Sequence, residues 1–83
     1  MDQQSPDVRA LIEHIAKVLV DEPAQVVVDP GEDEDGKFLE LEVAESDLGK
    51  VIGRGGRNAR AMRCILAAAC TKMGDRVELE IVE

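Results

Sequence analysis

Val8, Leu11, Ile12, Ile15 and Leu19 recur at three- and four-residue steps, which predicts one apolar stripe on a helix over roughly residues 6–21. Ser5 can cap its first N–H groups, Pro6 loses no hydrogen bond in a first turn, and Pro23 ends the pattern. Two short stretches then change period. Gln25 to Val28 is β-branched, and Lys37 to Val43 alternates Leu39, Leu41 and Val43 with Glu40 and Glu42, so both read as strands. Residues 29–36, DPGEDEDG, read as a turn-rich acidic loop kept extended and solvated by its like charges. Ser46 or Asp47 can cap a short helix through Lys50 to Ile52. A longer helix is expected over about residues 56–72, stopped by Gly74. At ~100° per residue, Ala59, Met62, Ile65, Leu66, Ala69 and Met73 fall on one side of it, and Arg57, Arg60 and Arg63 on the other. Val77, Leu79 and Ile81 alternate with Glu78, Glu80 and Val82 in a third strand.

The order is α-β-β-α-α-β, with a glycine-rich connection, Gly53-Arg54-Gly55-Gly56, between the second and third helices. Each strand has one apolar side. A three-stranded sheet with three helices on one face and glutamates on the other therefore satisfies the pattern, an α+β domain. Eighty-three residues hold one such domain, 1–83, with a modest core, and no internal repeat is visible.

Charge then locates the chemistry. The net charge is −8, which by itself argues against a nucleic-acid ligand. Residues 1–49, however, carry three basic and fourteen acidic side chains, whereas residues 50–76 carry seven basic side chains and only Asp75. Fields are screened within ~10 Å at ordinary salt, so the positive local potential around the glycine loop outweighs the total. Arg54, Arg57, Arg60 and Arg63 follow one another without an intervening acid, whereas a merely solubilising face would mix signs. The loop Gly53 to Gly56 has almost no side-chain bulk, so a sugar–phosphate strand can lie on its main chain. N–H groups at the start of the following helix would face the phosphates.

Other chemistries lack their residues. GKVIGRGGRN has neither the spacing nor the hydroxyl of a phosphate-binding NTPase loop, and no βαβ unit surrounds it. No nucleophile near the loop has a base and an orienting group, so no catalysis is expected. His14, expected on the first helix's surface, is the single histidine and there is no CxxC pair, so neither a metal nor a cofactor is expected. Cys64 and Cys70 lie about 240° apart around one helix and cannot bridge each other. The first ten residues lack an export signal and no stretch reaches membrane-spanning length, so a cytoplasmic location is expected.

The loop placed after Val51-Ile52, before a basic amphipathic helix and in this element order, resembles the KH domain in its bacterial type II arrangement. LVDEPAQV after the first helix and VIGRGGRNARAMRCIL around the loop are similar to the small stand-alone bacterial KH proteins of the KhpA type, over nearly the whole chain. The resemblance implies a single type II KH domain with a GXXG loop at 53–56 and a variable loop at 29–36. It also implies a groove that clamps about four nucleotides of single-stranded RNA between the two helices and a strand. Carried over, Gly53, Arg54, Gly55 and Gly56 would hold backbone, Lys50, Arg57 and Arg60 would supply charge, and Val51 and Ile52, with Val43, would floor the bases. The four consecutive acids Glu32 to Asp35 would repel a strand on the variable-loop side. Phe38 is the only aromatic residue, which counts against recognition by stacking platforms. The resemblance further implies post-transcriptional regulation or RNA chaperoning linked to cell elongation and division. It also implies a homodimer or a heterodimer with a larger KH-containing protein of the KhpB type. The alternative is a KH-shaped protein-interaction module with weak or no RNA binding.

Overall fold

The computed structural model describes residues 7–74 and 76–83. Helix α1 spans Val8–Leu19, and Asp7 caps it by accepting the Ala10 N–H at 3.1 Å. The expected Ser5–Pro6 start lies outside the described residues. Along the outer side of α1, Glu13 pairs with Arg9 at 3.1 Å and Lys17 at 3.0 Å. The Lys17 hydrogen bond and charge, with help from Arg9, hold the Glu13 carboxyl below its usual range. Strands β1 (Val27–Asp33) and β2 (Gly36–Glu42) follow, then helices α2 (Leu48–Ile52) and α3 (Arg57–Met73), and strand β3 (Val77–Ile81).

The sheet order is β1-β2-β3, with β1 antiparallel and β3 parallel to β2. Two parallel strands cannot be joined by a hairpin, so α2, the glycine loop and α3 together make the crossover between β2 and β3. Val28, Leu39, Leu41 and Leu79 point from the sheet into a core completed by Ile12 and Ala16 of α1, Val51 of α2, and Met62, Leu66 and Cys70 of α3. Glu40, Glu42, Glu78 and Glu80 are exposed on the opposite face, as the alternation requires. Among the described residues, no helix is long and apolar enough to cross a membrane.

Residues 29–36 do not form a loop. They are the distal part of a β-hairpin whose strands pair from Val27↔Glu42 out to Asp33↔Gly36, leaving Glu34 and Asp35 as a two-residue turn. Three local features offset the charge repulsion. Glu32 sits opposite Lys37, Asp33 accepts the Asp35 N–H at 2.9 Å, and Phe38 lies across Gly31 so closely that a Cβ there would come within 2.4 Å of its ring. Proline is tolerated at position 30 because β1 is an edge strand.

The buried side of α3 also departs from expectation. Ala59, Met62, Leu66 and Cys70 face the core, whereas Ile65 is 44% exposed. The small Cys70 side chain fits under the sheet as an apolar group, while Cys64 is exposed, and both are free thiols.

Candidate nucleic-acid interface

Helix α2 lasts five residues because Gly53 leaves helical space at φ 79°, ψ 167°, its N–H still donating to the Gly49 carbonyl at 2.8 Å. Arg54–Gly56 make a single tight turn closed by the Gly56 N–H on the Gly53 carbonyl at 3.0 Å. The glycines serve different needs. A Cβ at Gly53 would lie 2.8 Å from the Asn58 backbone nitrogen, so this position requires both the positive φ and the absence of a side chain. Gly55 (φ 63°) and Gly56 (φ 81°) require left-handed backbone, and nothing lies within 4 Å of a Cβ built at Gly55.

The turn delivers the chain into the 17-residue α3 with Gly56 as its N-cap and no side chain capping it. Its first N–H groups therefore carry the partial positive charge of the helix terminus without a protein partner from a cap. Arg54 and Arg57 are exposed on either side and pair with no carboxylate among the described residues. Arg60, one turn on, folds back to donate to the Gly55 carbonyl at 2.9 Å, which braces the loop and adds a third guanidinium. Two further residues set the geometry: Asn58, which the sequence does not single out, and Asp47, which it offers only as a cap for α2. Asn58 donates from its side-chain nitrogen to the Lys50 carbonyl at 2.8 Å, tying the start of α3 to the end of α2. Asp47, 1% exposed, accepts the N–H groups of Asp21 (3.2 Å) and Glu22 (3.0 Å), so it anchors the α1–β1 connection instead of capping α2.

Gly53, Arg54, Gly55, Gly56, Arg57 and Arg60 thus meet at one exposed loop, with Ile52 half-buried beside it. Val51 does not join them. It is fully buried, because in a one-turn helix only one of two adjacent apolar residues can face the sheet. Lys50 is turned away toward acid, 3.3 Å from Asp21 and 3.7 Å from Asp47. Val43 packs against the core and borders a depression with Glu42, Glu45, Leu48, Val82 and Glu83, a lining that includes none of the residues of the glycine loop.

A groove of about 380 Å³ runs between α3 and the free edge of β3. Arg63 lines it, with Ala67, Cys70 and Thr71 behind and Arg76 to Leu79 along the strand. Arg63 lies beside Leu79, and Thr71 beside the start of β3, so α3 and β3 run in opposite directions. The acidic hairpin tip sits by the first residues of β3, where Lys37 pairs with Val77, and is therefore remote from the glycine loop at the start of α3. Repulsion by Glu32 to Asp35 acts at the far end of the groove.

Residues 9–81 match the family description of the KH domain of KhpA and KhpB. The chain is 45% identical over 75 residues to the RNA-binding protein KhpA of Halalkalibacterium halodurans, covering 90% of this chain and 99% of that one. It is 49% identical over 73 residues to the RNA-binding protein KhpA of Borreliella burgdorferi, covering 88% and 89% of the two chains. The RNA-binding protein KhpA of Aquifex aeolicus is also 49% identical over 73 residues, covering 88% and 92%.

Proposed function

The chain belongs to the KhpA/KhpB family of KH domains, and we propose that it is an RNA-binding protein gripping short single-stranded segments at the Gly53–Gly56 loop. One observation carries this reading. The uncapped amino end of α3 emerges from an exposed main chain bordered by Arg54 and Arg57, neither of them neutralised by an acid of the described chain. Phosphates would lie against Gly55, Gly56 and the first N–H groups of α3, and bases would run along the α3–β3 groove. The role is binding, without catalysis, in the cytoplasm, and belongs to the post-transcriptional control of elongation and division.

A second KH domain is the proposed protein partner, either another copy or a KhpB-type chain. The outward side of α3 supports a second copy, because Ile65 stands 44% exposed there among exposed Ala61 and Ala68. Burying it against its own symmetry mate would enlarge a small core.

The test is the pair of substitutions Arg54→Asp and Gly55→Asp made together. Gly55 is left-handed with open space around it, a conformation aspartate tolerates, so circular dichroism should stay native while single-stranded RNA binding is lost. For the unsubstituted protein, roughly three to four phosphate contacts give a log–log salt slope of about −2 to −3. A flat salt response, with partner capture unaffected by the double substitution, would instead support an interaction module that does not bind RNA.

A further inference from the structure

The groove beside β3 contains a feature that phosphate binding does not use. Arg63 Nε and Nη2 both donate to the Leu79 carbonyl, each at 3.3 Å. That carbonyl points off the outer edge of the sheet, since among the described residues β3 pairs only with β2. The double contact engages one side of the planar guanidinium and leaves the Nη1–Nη2 end with a hydrogen on each nitrogen. It also orients the plane of the fork against the strand, which favours this rotamer over the others. Arg76, at the other end of the groove, pairs with Glu78 at 3.4 Å and is highly exposed, with no second contact among the described residues that orients its fork.

We propose that Arg63 is a specificity-determining residue that selects guanine at one position of the bound strand. This rests on the RNA-binding reading above. A forked pair of donors matches the O6 and N7 acceptors of guanine, whereas adenine offers a donor beside its acceptor, uracil offers no two adjacent acceptors, and cytosine offers its N3–O2 pair only with the N4 amino group beside it. The same contact works against the competitors. With the Leu79 carbonyl already engaged, the amino groups of adenine and cytosine lose an acceptor on this stretch of the strand edge. Room is sufficient, because 380 Å³ lies within the ~300–1,000 Å³ of small-ligand sites. The position is also reachable. Arg63 lies about 9 Å along α3 from Arg57, so a strand anchored at the loop can present a following base to it.

The experiment titrates the full chain against fluorescein-labelled octauridine and against strands with a single guanosine, adenosine, cytidine or 7-deazaguanosine replacing a central uridine. Fluorescence anisotropy reads the affinities. The guanosine strand should bind about tenfold more tightly than the others, and removing N7 should forfeit most of that gain. Arg63→Lys and Arg63→Met, each checked by circular dichroism, should abolish the preference, while octauridine binding stays nearly unchanged in Arg63→Lys and weakens by only about two- to threefold in Arg63→Met, as expected for one lost charge contact. Lysine keeps the charge without the fork, so its loss of preference separates geometry from charge. Equal affinity for all strands, preference for another base, or a preference surviving in both variants overturns the assignment to Arg63 and leaves loop binding standing. Absence of binding to every strand overturns the RNA-binding reading and this inference with it.

Discussion

Alanine at Gly53 and alanine at Gly55 should have opposite signatures, although the two glycines are two residues apart in one loop. At Gly53 (φ 79°, ψ 167°) the backbone occupies a region essentially restricted to glycine, which costs a side chain ~1–3 kcal/mol. The new Cβ would also stand 2.8 Å from the Asn58 backbone nitrogen and 2.9 Å from its Cγ, and a backbone atom cannot swing aside. Overpacking of this kind costs ~1–3 kcal/mol, so a total near 3 kcal/mol is expected. At Gly55 (φ 63°, ψ 18°) the conformation is ordinary left-handed helix and nothing lies within 4 Å, so ~1 kcal/mol suffices. For a domain of this length 1 kcal/mol moves the melting temperature by roughly 4–8 °C. Gly53→Ala should therefore melt about 12–24 °C lower, and Gly55→Ala only about 4–8 °C lower. Thermal and urea unfolding followed by circular dichroism, at one fixed protomer concentration, measures both. RNA affinity should rank the other way relative to stability. Gly55→Ala adds bulk under the phosphate strand and should weaken binding in a protein that is still folded. Equal losses of stability at the two sites, or a loss at Gly53 within 1 kcal/mol, would refute the claim that Gly53 is fixed by its contact with Asn58.

Three further perturbations test two anchors around the loop and the proposed partner face of α3. Asp47→Ala removes the acceptor for the Asp21 and Glu22 N–H groups, and urea denaturation should show a loss of ~2–4 kcal/mol. Asn58→Ala deletes one bond to the Lys50 carbonyl, costing ~1 kcal/mol and speeding hydrogen exchange at the end of α2. Ile65→Asp should abolish self-association in sedimentation velocity, and because Ile65 is 44% exposed, the monomer should stay within ~0.5 kcal/mol of its original stability.

Alternation in Leu39 to Val43 and Val77 to Ile81, the stripe in α1 and the glycine break before α3 all declare themselves in the sequence, because each is a local periodicity serving one buried face. The acidic hairpin is different. Its pairing depends on residues from the other strand, Lys37 opposite Glu32 and Phe38 over Gly31, so a run of charges with Pro30-Gly31 reads locally as a loop. Likewise, nothing in Val51-Ile52 says which residue turns inward until the sheet is placed beneath α2. Ile65 outranks Cys70 in hydrophobicity, yet the helix phase set by Met62 and Leu66 buries the thiol and leaves the isoleucine outside. Around the loop, Arg54 and Arg57 are legible from spacing and charge. Asp47 and Asn58 are not, because their partners are backbone groups brought close only by the fold, in the case of Asp47 from about 25 residues away. Arg63 belongs to the basic series in sequence, and only its bond to Leu79 separates it from the arginines at the loop.

The central claim, that bare main chain at the mouth of α3 receives an unpaired polynucleotide, is tested most directly by the amide resonances of the protein titrated with a short single-stranded RNA. The account predicts that the largest shifts fall on Gly53 to Ala59, followed by the groove edge at Val77 to Leu79. Shifts confined to α1 or to the open glutamate face of the sheet, or no shifts at saturating RNA, would contradict it.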